Sequence, residues 1–431
     1  MRHEEILPVV NPAWGRSPSP RVDVSRYVSR EYVALERERL WPHVWQIACR
    51  EEEISGPGDY FEYEIGDQSI IVVRTSKGEV KAFFNACLHR GTQLAKGCGT
   101  LRQFTCPFHA WRWSLDGAIR YVHDRADFPG LTDEELRLPE CQVGLFAGFV
   151  FIKMTEGGES LEAFLAPIAD NVAAYRIEDY RIQSWRTVVV KANWKVALEA
   201  FEESYHILGT HPQGRMTGAD VGTIYDSYGP HTLSIIPTGL PSPRFSPPLS
   251  EQALLKYMID ALLDVQLADE TQRALFEELR EKPLPDGLTT REFFQKMAQG
   301  RFGSLMPDLT PDQYTSVWDY TFFPNFVFNA TPGNIFGFLA RPNGDDPDSC
   351  VFDVVSLQHP CGKPGEAVKR QRITDPSYNW GTALSQDWSN LERIQKGMHA
   401  RTMQKNRLAS YQESRIANRV RVMDHMMAAH G

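Results

Sequence analysis

Two short boxes in the first third of the sequence each combine one cysteine with one histidine. The first is Cys87-x-His89, the second is Cys106-x-x-His109, and 16 residues lie between them. Thiolates and imidazoles at such short spacing are typical metal ligands. A structural zinc site usually takes two cysteines from one box, whereas both boxes here are mixed. The mixture suits a [2Fe–2S] cluster in which one iron binds both thiolates and the other binds both imidazoles.

The residues around the boxes favour the cluster over a zinc ribbon or two unrelated pairs. Gly91 permits a tight turn, and Pro107 stiffens the second loop. Trp111 and Trp113, with Phe108, supply aromatic side chains that can shield a cluster from water. Cys98 lies between the boxes but fits no ligand position, so we expect it to be a bystander.

A second candidate metal site lies in the stretch NWKVALEAFEESYHILGTHP, where His206 and His211 stand five residues apart. Five residues of unbroken helix would carry the second imidazole away from the first. A helix that ends near Gly209 would instead let both bind one ion. Two imidazoles and a carboxylate with open positions form the facial triad that binds Fe(II) for oxygen chemistry. The same helix would place Glu199 and Glu203 on the helix face that carries His206. The alternative is that these carboxylates belong to a solvated surface.

The elements that must position these residues divide the chain into two parts. From Asp59 to about residue 154, alternating apolar and polar residues between turn pairs predict antiparallel strands that carry both boxes. Beyond about residue 185, strand-like runs and helical runs are mixed, with helices over 250–300 and from about Asp387. Residues 1–24 are rich in Pro, Ser and Arg and predict a loose arm. A length of 431 residues suits two domains of α+β class.

Composition excludes several function classes. The net charge of −9 disfavours nucleic acid as a partner. The sequence contains no run of 18 apolar residues, which a membrane span would require. The N-terminus has no apolar region typical of a signal peptide. The odd count of seven cysteines indicates a reducing compartment, so we expect a cytoplasmic protein.

The boxes, with HRG and CPFHAW around them, resemble the Rieske domain of the Rieske non-heme iron oxygenases, in particular the large (α) subunits of ring-hydroxylating oxygenases. The resemblance implies an N-terminal all-β Rieske [2Fe–2S] domain followed by a helix-grip (START-like) α+β catalytic domain. We expect an N-terminal arm and helix over 1–44, the Rieske domain over 45–155 and the catalytic domain over 185–431. Cys87, His89, Cys106 and His109 would hold the cluster.

The resemblance also supplies a third ligand and a connecting residue. SQDWSNLERIQKGM is similar to the family's C-terminal ligand segment, in which a ligand aspartate precedes a glutamate by five residues, as Asp387 precedes Glu392. The alternative is that Asp387 caps a helix N-terminus. The family carries an acidic residue three before the first histidine, which bonds that histidine and bridges to a Rieske histidine of a neighbouring subunit. Glu203 occupies this place, where many members have Asp.

The implied activity is that of a terminal oxygenase with one Rieske cluster, one mononuclear Fe(II) and O2 as cosubstrate. Electrons from NAD(P)H would arrive through a reductase and possibly a ferredoxin. The family generally assembles as a homotrimer, in some cases with a small β subunit. We expect an aromatic or alicyclic substrate, in a pocket built from 221–228, 326–330 and 334–340, with Arg215 or Arg341 available for a carboxylate. Dihydroxylation, monohydroxylation and demethylation stay open, as do a pure electron-transfer protein and a zinc-stabilised binding module.

Overall fold

The computed structural model describes residues 7–9, 11–264, 270–361 and 368–430, which form two compact units. Among them the small unit contains residues 34–166 and 427–430, and the large unit contains the rest. Of the predicted arm, residues 1–6 and 10 lie outside the described residues. Strand β1 (Arg21–Asp23) pairs antiparallel with Lys405–Arg407, so the prediction of a loose arm is wrong at this point. No helix in the described part of the chain is both long and apolar enough to cross a bilayer.

After β1, two helices and ten strands with antiparallel neighbours follow in the described chain. The helices are α1 (Ser25–Val28) and α2 (Arg30–Arg39). The strands of the small unit form a seven-stranded sheet of order β2-β11-β10-β5-β4-β3-β6 and a three-stranded sheet β7-β8-β9. Their bounds are β2 (Gln46–Arg50), β3 (Asp59–Ile65), β4 (Gln68–Arg74), β5 (Val80–Phe84), β6 (Cys98–Thr100), β7 (Phe104–Thr105), β8 (Arg112–Trp113), β9 (Ile119–Tyr121), β10 (Glu140–Phe146) and β11 (Phe149–Lys153).

The core of the small unit includes two of the predicted ligands. Cys87 and Cys106 are buried among aromatic side chains that include Phe83, Trp111 and Trp113. The indole N–H of Trp113 donates to the carbonyl of Leu136 at 2.7 Å, which satisfies the one polar atom of this buried ring. The packed core of the unit therefore fixes the positions of the two ligand loops.

The large unit is an eight-stranded sheet with helices, which confirms the α+β class. Strand order is β13-β14-β15-β16-β17-β18-β12-β19, and every neighbouring pair is antiparallel except β12 with β19. Its strands are β12 (Arg181–Val190), β13 (Ile224–Tyr228), β14 (His231–Ile236), β15 (Val317–Phe322), β16 (Phe326–Thr331), β17 (Asn334–Asn343), β18 (Asp346–Gln358) and β19 (Gln371–Arg372), and β20 (Lys405–Arg407) is the partner of β1.

Among the residues that the structure describes, nine further helices follow α2, and those of the large unit carry or cover its functional residues. They are α3 (Leu161–Ala173), α4 (Trp194–Glu199), α5 (Ile207–Thr210), α6 (Ala219–Gly222), α7 (Glu251–Asp264), α8 (Glu270–Glu281), α9 (Thr290–Phe302), α10 (Thr382–Met398) and α11 (Ser414–Ala429). Helix α4 packs on β17 and β18 and contacts α10, so the segment that follows α4 is held between the sheet and α10.

Candidate metal centres

The two ligand loops of the small unit have the same backbone design. In the first, the N–H of Gly91 donates to the carbonyl of Cys87, and the N–H of Cys87 donates to the carbonyl of Thr92, both at 2.8 Å. In the second, Ala110 donates to Cys106 at 3.0 Å, and Cys106 donates to Trp111 at 2.8 Å. The fourth residue after each cysteine has a positive φ, 82° at Gly91 and 59° at Ala110. Each loop therefore turns back on itself and presents its cysteine and histidine at a tip.

The side chains of these loops pair by type. Nδ1 of His89 lies 3.0 Å from Nδ1 of His109, and the thiols of Cys87 and Cys106 are hydrogen-bonded to each other. Both thiols are buried, whereas both imidazoles are partly exposed. This arrangement fits a cluster with one iron on the thiolate pair and the other on the imidazole pair.

Backbone N–H groups of the same loops point at the sulfur atoms. His89 and Arg90 donate to Cys87, while His109 and Phe108 donate to Cys106. Burial raises the pKa of the Cys87 thiol, and these N–H groups act in the opposite direction because they stabilise a thiolate. Hydrogen bonds to sulfur are also among the contacts that set the potential of an iron–sulfur cluster, so the donors fit the group that the four side chains would hold.

Aromatic residues cover this centre unevenly. Trp111 is buried and stacks on His89, with ring centroids 4.9 Å apart. Phe108, which the sequence predicts to shield the cluster, packs on His109 with ring centroids 3.9 Å apart, but it is 55% exposed and also contacts the guanidinium of Arg90. Cys98 lies exposed on β6, away from the buried thiols, as expected of a residue that is not a ligand.

We expect the substitution Cys106→Ser to remove the visible absorption of the cluster from the purified protein. A serine hydroxyl is a poor substitute for a thiolate ligand, and Cys106 sits in the buried half of the centre. The matched control is Cys98→Ser, which changes the same atoms on an exposed strand and should leave the spectrum unchanged. An unaltered spectrum in Cys106→Ser would show that the cluster is held elsewhere.

The chain path around the second centre differs from the predicted single helix. Helix α4 ends at Glu199, and α5 begins only at Ile207 and lasts four residues. His206 lies at the start of α5 and His211 immediately after its end. The break means that Glu199 and His206 do not share a helix face, so that part of the prediction is wrong. The short turn, rather than a long helix ending near Gly209, brings the two imidazoles together.

Three predicted ligands converge at this point. The Nε2 atoms of His206 and His211 are 3.1 Å apart, and Oδ1 of Asp387 lies 3.8 Å and 3.2 Å from them respectively. The three groups offer ligand atoms that all lie within 4.8 Å of one another. Metal–nitrogen bonds of about 2.1 Å allow two nitrogens at this separation to bind the same ion.

The outer nitrogens of both imidazoles are occupied by acceptors. Nδ1 of His206 contacts Oε1 of Glu203, and Nδ1 of His211 contacts Oε1 of Gln386, both at 2.8 Å. An acceptor at Nδ1 holds the proton there, so both Nε2 lone pairs face each other and the carboxylate of Asp387. Three acceptor atoms at such distances repel one another unless a cation or proton lies between them, which is what a metal site requires.

The electrostatics of the site also favour a cation. Burial by itself lowers the pKa of His206, but the charge and hydrogen bond of Glu203, together with Asp387, outweigh it, and the net pKa is raised. Glu203 is only 9% exposed, and its second oxygen accepts the backbone N–H of His206 at 2.9 Å. Its predicted alternative, a solvated surface carboxylate, is therefore wrong.

Asp387 reaches the site from a distant part of the sequence. It is the sixth residue of α10, whose N-cap is Gly381, so the alternative role as a helix cap is wrong. The side chain is 6% exposed and points at the two imidazoles. Helix α10 therefore combines a candidate ligand, Asp387, with the neighbouring Gln386 that holds the second imidazole.

A buried ionic network holds the segment that leads to the centre. Arg419 of α11 contacts Glu199 at 3.1 Å and Glu202 at 3.1 Å, and the hydroxyl of Tyr27 donates to Glu199 at 2.8 Å. Burial raises the pKa of Glu199 to about 7, against the opposing charge of Arg419. Removing one partner of such a buried pair typically costs about 3–5 kcal/mol, so we infer that the network fixes the backbone just before Glu203.

An apolar cavity of about 520 Å³ in the large unit has Asp387 among its lining residues. Its walls come from the sheet, from α8 and α9, and from the start of α10, where Ala383 and Leu384 precede the aspartate. Six phenylalanines line it: Phe201, Phe276, Phe294, Phe302, Phe336 and Phe338. The volume and lining are typical of a site for a small apolar ligand.

The predicted pocket is right in part. Residues from 326–330 and 334–340 line the cavity, but none from 221–228 does, because that stretch forms α6 and the edge strand β13. The sequence predicts helices over 250–300, which includes most of α9, but the predicted pocket does not include this helix. Its signal was present, since Phe294, Met297, Ala298 and Arg301 have the i, i+3, i+4, i+7 spacing of one helix face.

Comparison with known proteins agrees with these two centres. A family model described as "Rieske [2Fe-2S] domain" matches residues 44–132, and one described as "Ring hydroxylating alpha subunit (catalytic domain)" matches residues 177–429.

Individual proteins resemble parts of the chain or its fold. The glycine betaine monooxygenase oxygenase subunit of Chromohalobacter salexigens is 32% identical over 182 residues, 42% of this chain and 40% of that protein. The anthranilate 1,2-dioxygenase large subunit of Acinetobacter baylyi is 34% identical over 203 residues, 44% of this chain and 42% of that protein. The match thus spans less than half of either relative. A structure of naphthalene 1,2-dioxygenase with indole bound has the same fold, with a TM-score of 0.69 at 19% identity over 95% of this chain and 92% of that one.

Proposed function

Because this chain belongs to the family of ring-hydroxylating α subunits, we propose that it is the terminal oxygenase component of a Rieske non-heme iron oxygenase. It would use electrons from NAD(P)H to insert oxygen from O2 into an apolar, ring-containing organic substrate. The observation that carries this proposal is the convergence of His206, His211 and Asp387, the last of which also lines an apolar cavity.

The residues of the two centres have distinct tasks in this proposal. Cys87, His89, Cys106 and His109 hold one [2Fe–2S] cluster, and His206, His211 and Asp387 hold one mononuclear Fe(II). When bound, the cluster supplies single electrons and the Fe(II) supplies a site with open positions for O2. Glu203 and Gln386 orient the two imidazoles through their Nδ1 atoms, which keeps both Nε2 lone pairs directed at one point.

The cavity selects and places the substrate. Phe201 stacks on Phe338 at 3.8 Å, and together they form an apolar wall near the metal end. Such a wall excludes water from the reacting carbon and holds a planar ring by area burial, worth about 25 cal/mol per Å² of apolar surface. A ring pressed against this wall would present one edge towards the three ligands.

The proposal includes partners. Electrons would arrive through a reductase, directly or by way of a ferredoxin, because neither centre of this chain oxidises NAD(P)H. We propose a homotrimer in head-to-tail order, in which Glu203 connects the iron site to the cluster of a neighbouring subunit. A closed ring satisfies such a heterologous interface in every copy. A small β subunit is compatible with the same arrangement.

Demethylation of a quaternary ammonium compound is the second candidate. It is favoured by the likeness to a glycine betaine monooxygenase subunit and by the phenylalanines, since aromatic faces can bind a cation. It is disfavoured by the charges of the cavity. Among the described lining residues the only acid is the candidate ligand Asp387, and the only base, Arg301, would repel a cationic substrate.

The deciding experiment is O2 uptake by the reconstituted enzyme, with its reductase, in the presence of either naphthalene or glycine betaine. We expect substrate-dependent uptake with naphthalene and a hydroxylated product that carries label from ¹⁸O2. Formaldehyde released from glycine betaine would instead establish demethylation. Reduction of the cluster without any substrate-dependent uptake would favour an electron-transfer protein.

A further inference from the structure

The apolar cavity has one polar end, and that end is remote from the three candidate ligands. On β17 the alternate residues Asn334, Phe336 and Phe338 share one face and all line the cavity. Phe338 stacks on Phe201, which in turn contacts Trp388, the neighbour of Asp387. Four residues of strand separate Phe338 from Asn334, a distance of about 14 Å at about 3.4 Å per residue.

The polar end is built on the turn between β16 and β17. Thr331 pairs with Asn334 across the ladder, and both side chains line the cavity. Oδ1 of Asn334 is buried from solvent but accepts no hydrogen bond from any residue that the structure describes. A buried amide oxygen without a partner is destabilising, so a ligand that completes the hydrogen bonding of this amide is favoured here. Rotation of the amide by 180° would present a donor in place of the acceptor.

Helix α9 brings a positive charge to the same end. Phe302 packs directly on this turn, since an ideal Cβ placed on Gly333 would lie 2.2 Å from the ring of Phe302. Arg301, the preceding residue, completes the cavity-facing stripe of α9 and lines the cavity. Arg301 is exposed and forms no ion pair with any residue that the structure describes, and its guanidinium lies 5.2 Å from the centroid of the Phe302 ring.

The two arginines suggested by the sequence are engaged elsewhere. Arg341 forms an ion pair with the buried Asp353, and neither residue lines the cavity. Arg215 donates to the carbonyl of Leu208 at 2.6 Å and also lies outside the lining. Arg301 is thus the one cation among the described residues of the cavity wall.

We infer that Arg301 and Asn334 recognise a carboxylate at the far end of an elongated ring-containing substrate. The inference rests on the proposed function, and it narrows the substrate class to apolar ring systems that carry an acidic group about 14 Å or less from the reacting edge. Arg301 donates to the carboxylate, the rotated amide of Asn334 donates to the second oxygen, and the phenylalanines bury the ring between this end and the ligands.

The test is a binding measurement that does not require turnover. Three probes of nearly equal size differ only in their terminal group: biphenyl-4-carboxylate, biphenyl-4-methanol and biphenyl-4-trimethylammonium. Binding to the full-length, metal-loaded protein is followed by calorimetry under anaerobic conditions without reductant. We expect the carboxylate to bind about five- to tenfold more tightly than the alcohol, as for an exposed ion pair with one added hydrogen bond, and the trimethylammonium probe to bind most weakly.

Arg301→Gln should remove the preference for the carboxylate and leave the alcohol unchanged. The control Lys296→Gln removes the same charge from the exposed face of α9 and should preserve the preference. Equal affinities for carboxylate and alcohol in the wild type, or a preference that survives in Arg301→Gln, would overturn the inference. Tightest binding of the trimethylammonium probe would overturn it in favour of a cationic substrate. The proposed function is tested in a separate step, in which reductant and O2 are added to the protein with bound probe. A probe that binds but is not oxygenated would count against the proposed function.

Discussion

Replacing His211 by alanine should remove the mononuclear iron and abolish oxygenation while the cluster's visible spectrum stays intact. His211 contributes one of three candidate ligand atoms that lie within 4.8 Å of one another. The two acceptors that would remain, His206 and Asp387, do not complete a facial triad. We expect iron content to fall from three atoms per chain to two and activity to fall below detection. His206→Ala and Asp387→Ala should behave in the same way.

Iron analysis and the visible spectrum separate this outcome from general unfolding. A variant that loses its fold loses the cluster absorption as well, whereas one that loses only the second centre retains it. His399→Ala is the matched control, because His399 is 46% exposed and pairs with Asp348 at the surface. It should keep all three iron atoms and full activity. Three iron atoms and normal turnover in His211→Ala would show that the facial-triad assignment is wrong.

Local patterns account for what the sequence predicts best. The Cys87–His89 and Cys106–His109 boxes can be recognised because each ligand pair belongs to one short loop, and the loop geometry depends on nearby residues such as Gly91. The strands of the small unit are similarly local, since period-two alternation and turn pairs define them. The pairing of thiol with thiol is also expected from the mixed boxes, whereas the distance between the two loops depends on how they pack in the small unit.

Tertiary contacts explain the errors around the second centre. The helical pattern through Glu199 and Glu203 is interrupted after Glu199, which forms an ion pair with Arg419, a residue more than 200 positions away. No pattern in the residues near Glu199 predicts that contact. A tertiary contact also explains why Arg341 is not available for a substrate carboxylate. Its ion-pair partner Asp353 is buried on a neighbouring strand. The face of α9 could be recognised from its helical spacing, but only the fold shows that it lines the same cavity as Asp387.

The substitution Glu203→Gln should leave both metal centres in place but slow electron delivery between them. Glu203 accepts two hydrogen bonds from His206, one from the ring and one from the backbone, and uses a different oxygen for each. Glutamine has one acceptor oxygen and one NH2 donor group. One of the two N–H groups of His206 would therefore face the NH2 group instead of an acceptor. The charge that faces any neighbouring cluster ligand is lost at the same time. Changes of this kind typically reduce metal affinity or activity about 10–100-fold.

A single-turnover experiment measures the affected step directly. The protein is reduced, its excess reductant removed, and cluster oxidation is followed after substrate and O2 are added. We expect oxidation in Glu203→Gln to be about 10–100-fold slower, with three iron atoms per chain and normal reduction by the donor. Glu392→Gln is the control, because that carboxylate is 60% exposed on α10 and makes only a long contact with Lys191 at 3.5 Å. Since the burial of Glu203 already excludes a solvated role, a wild-type rate would mean that it only supports His206 and that electrons reach the iron by another route.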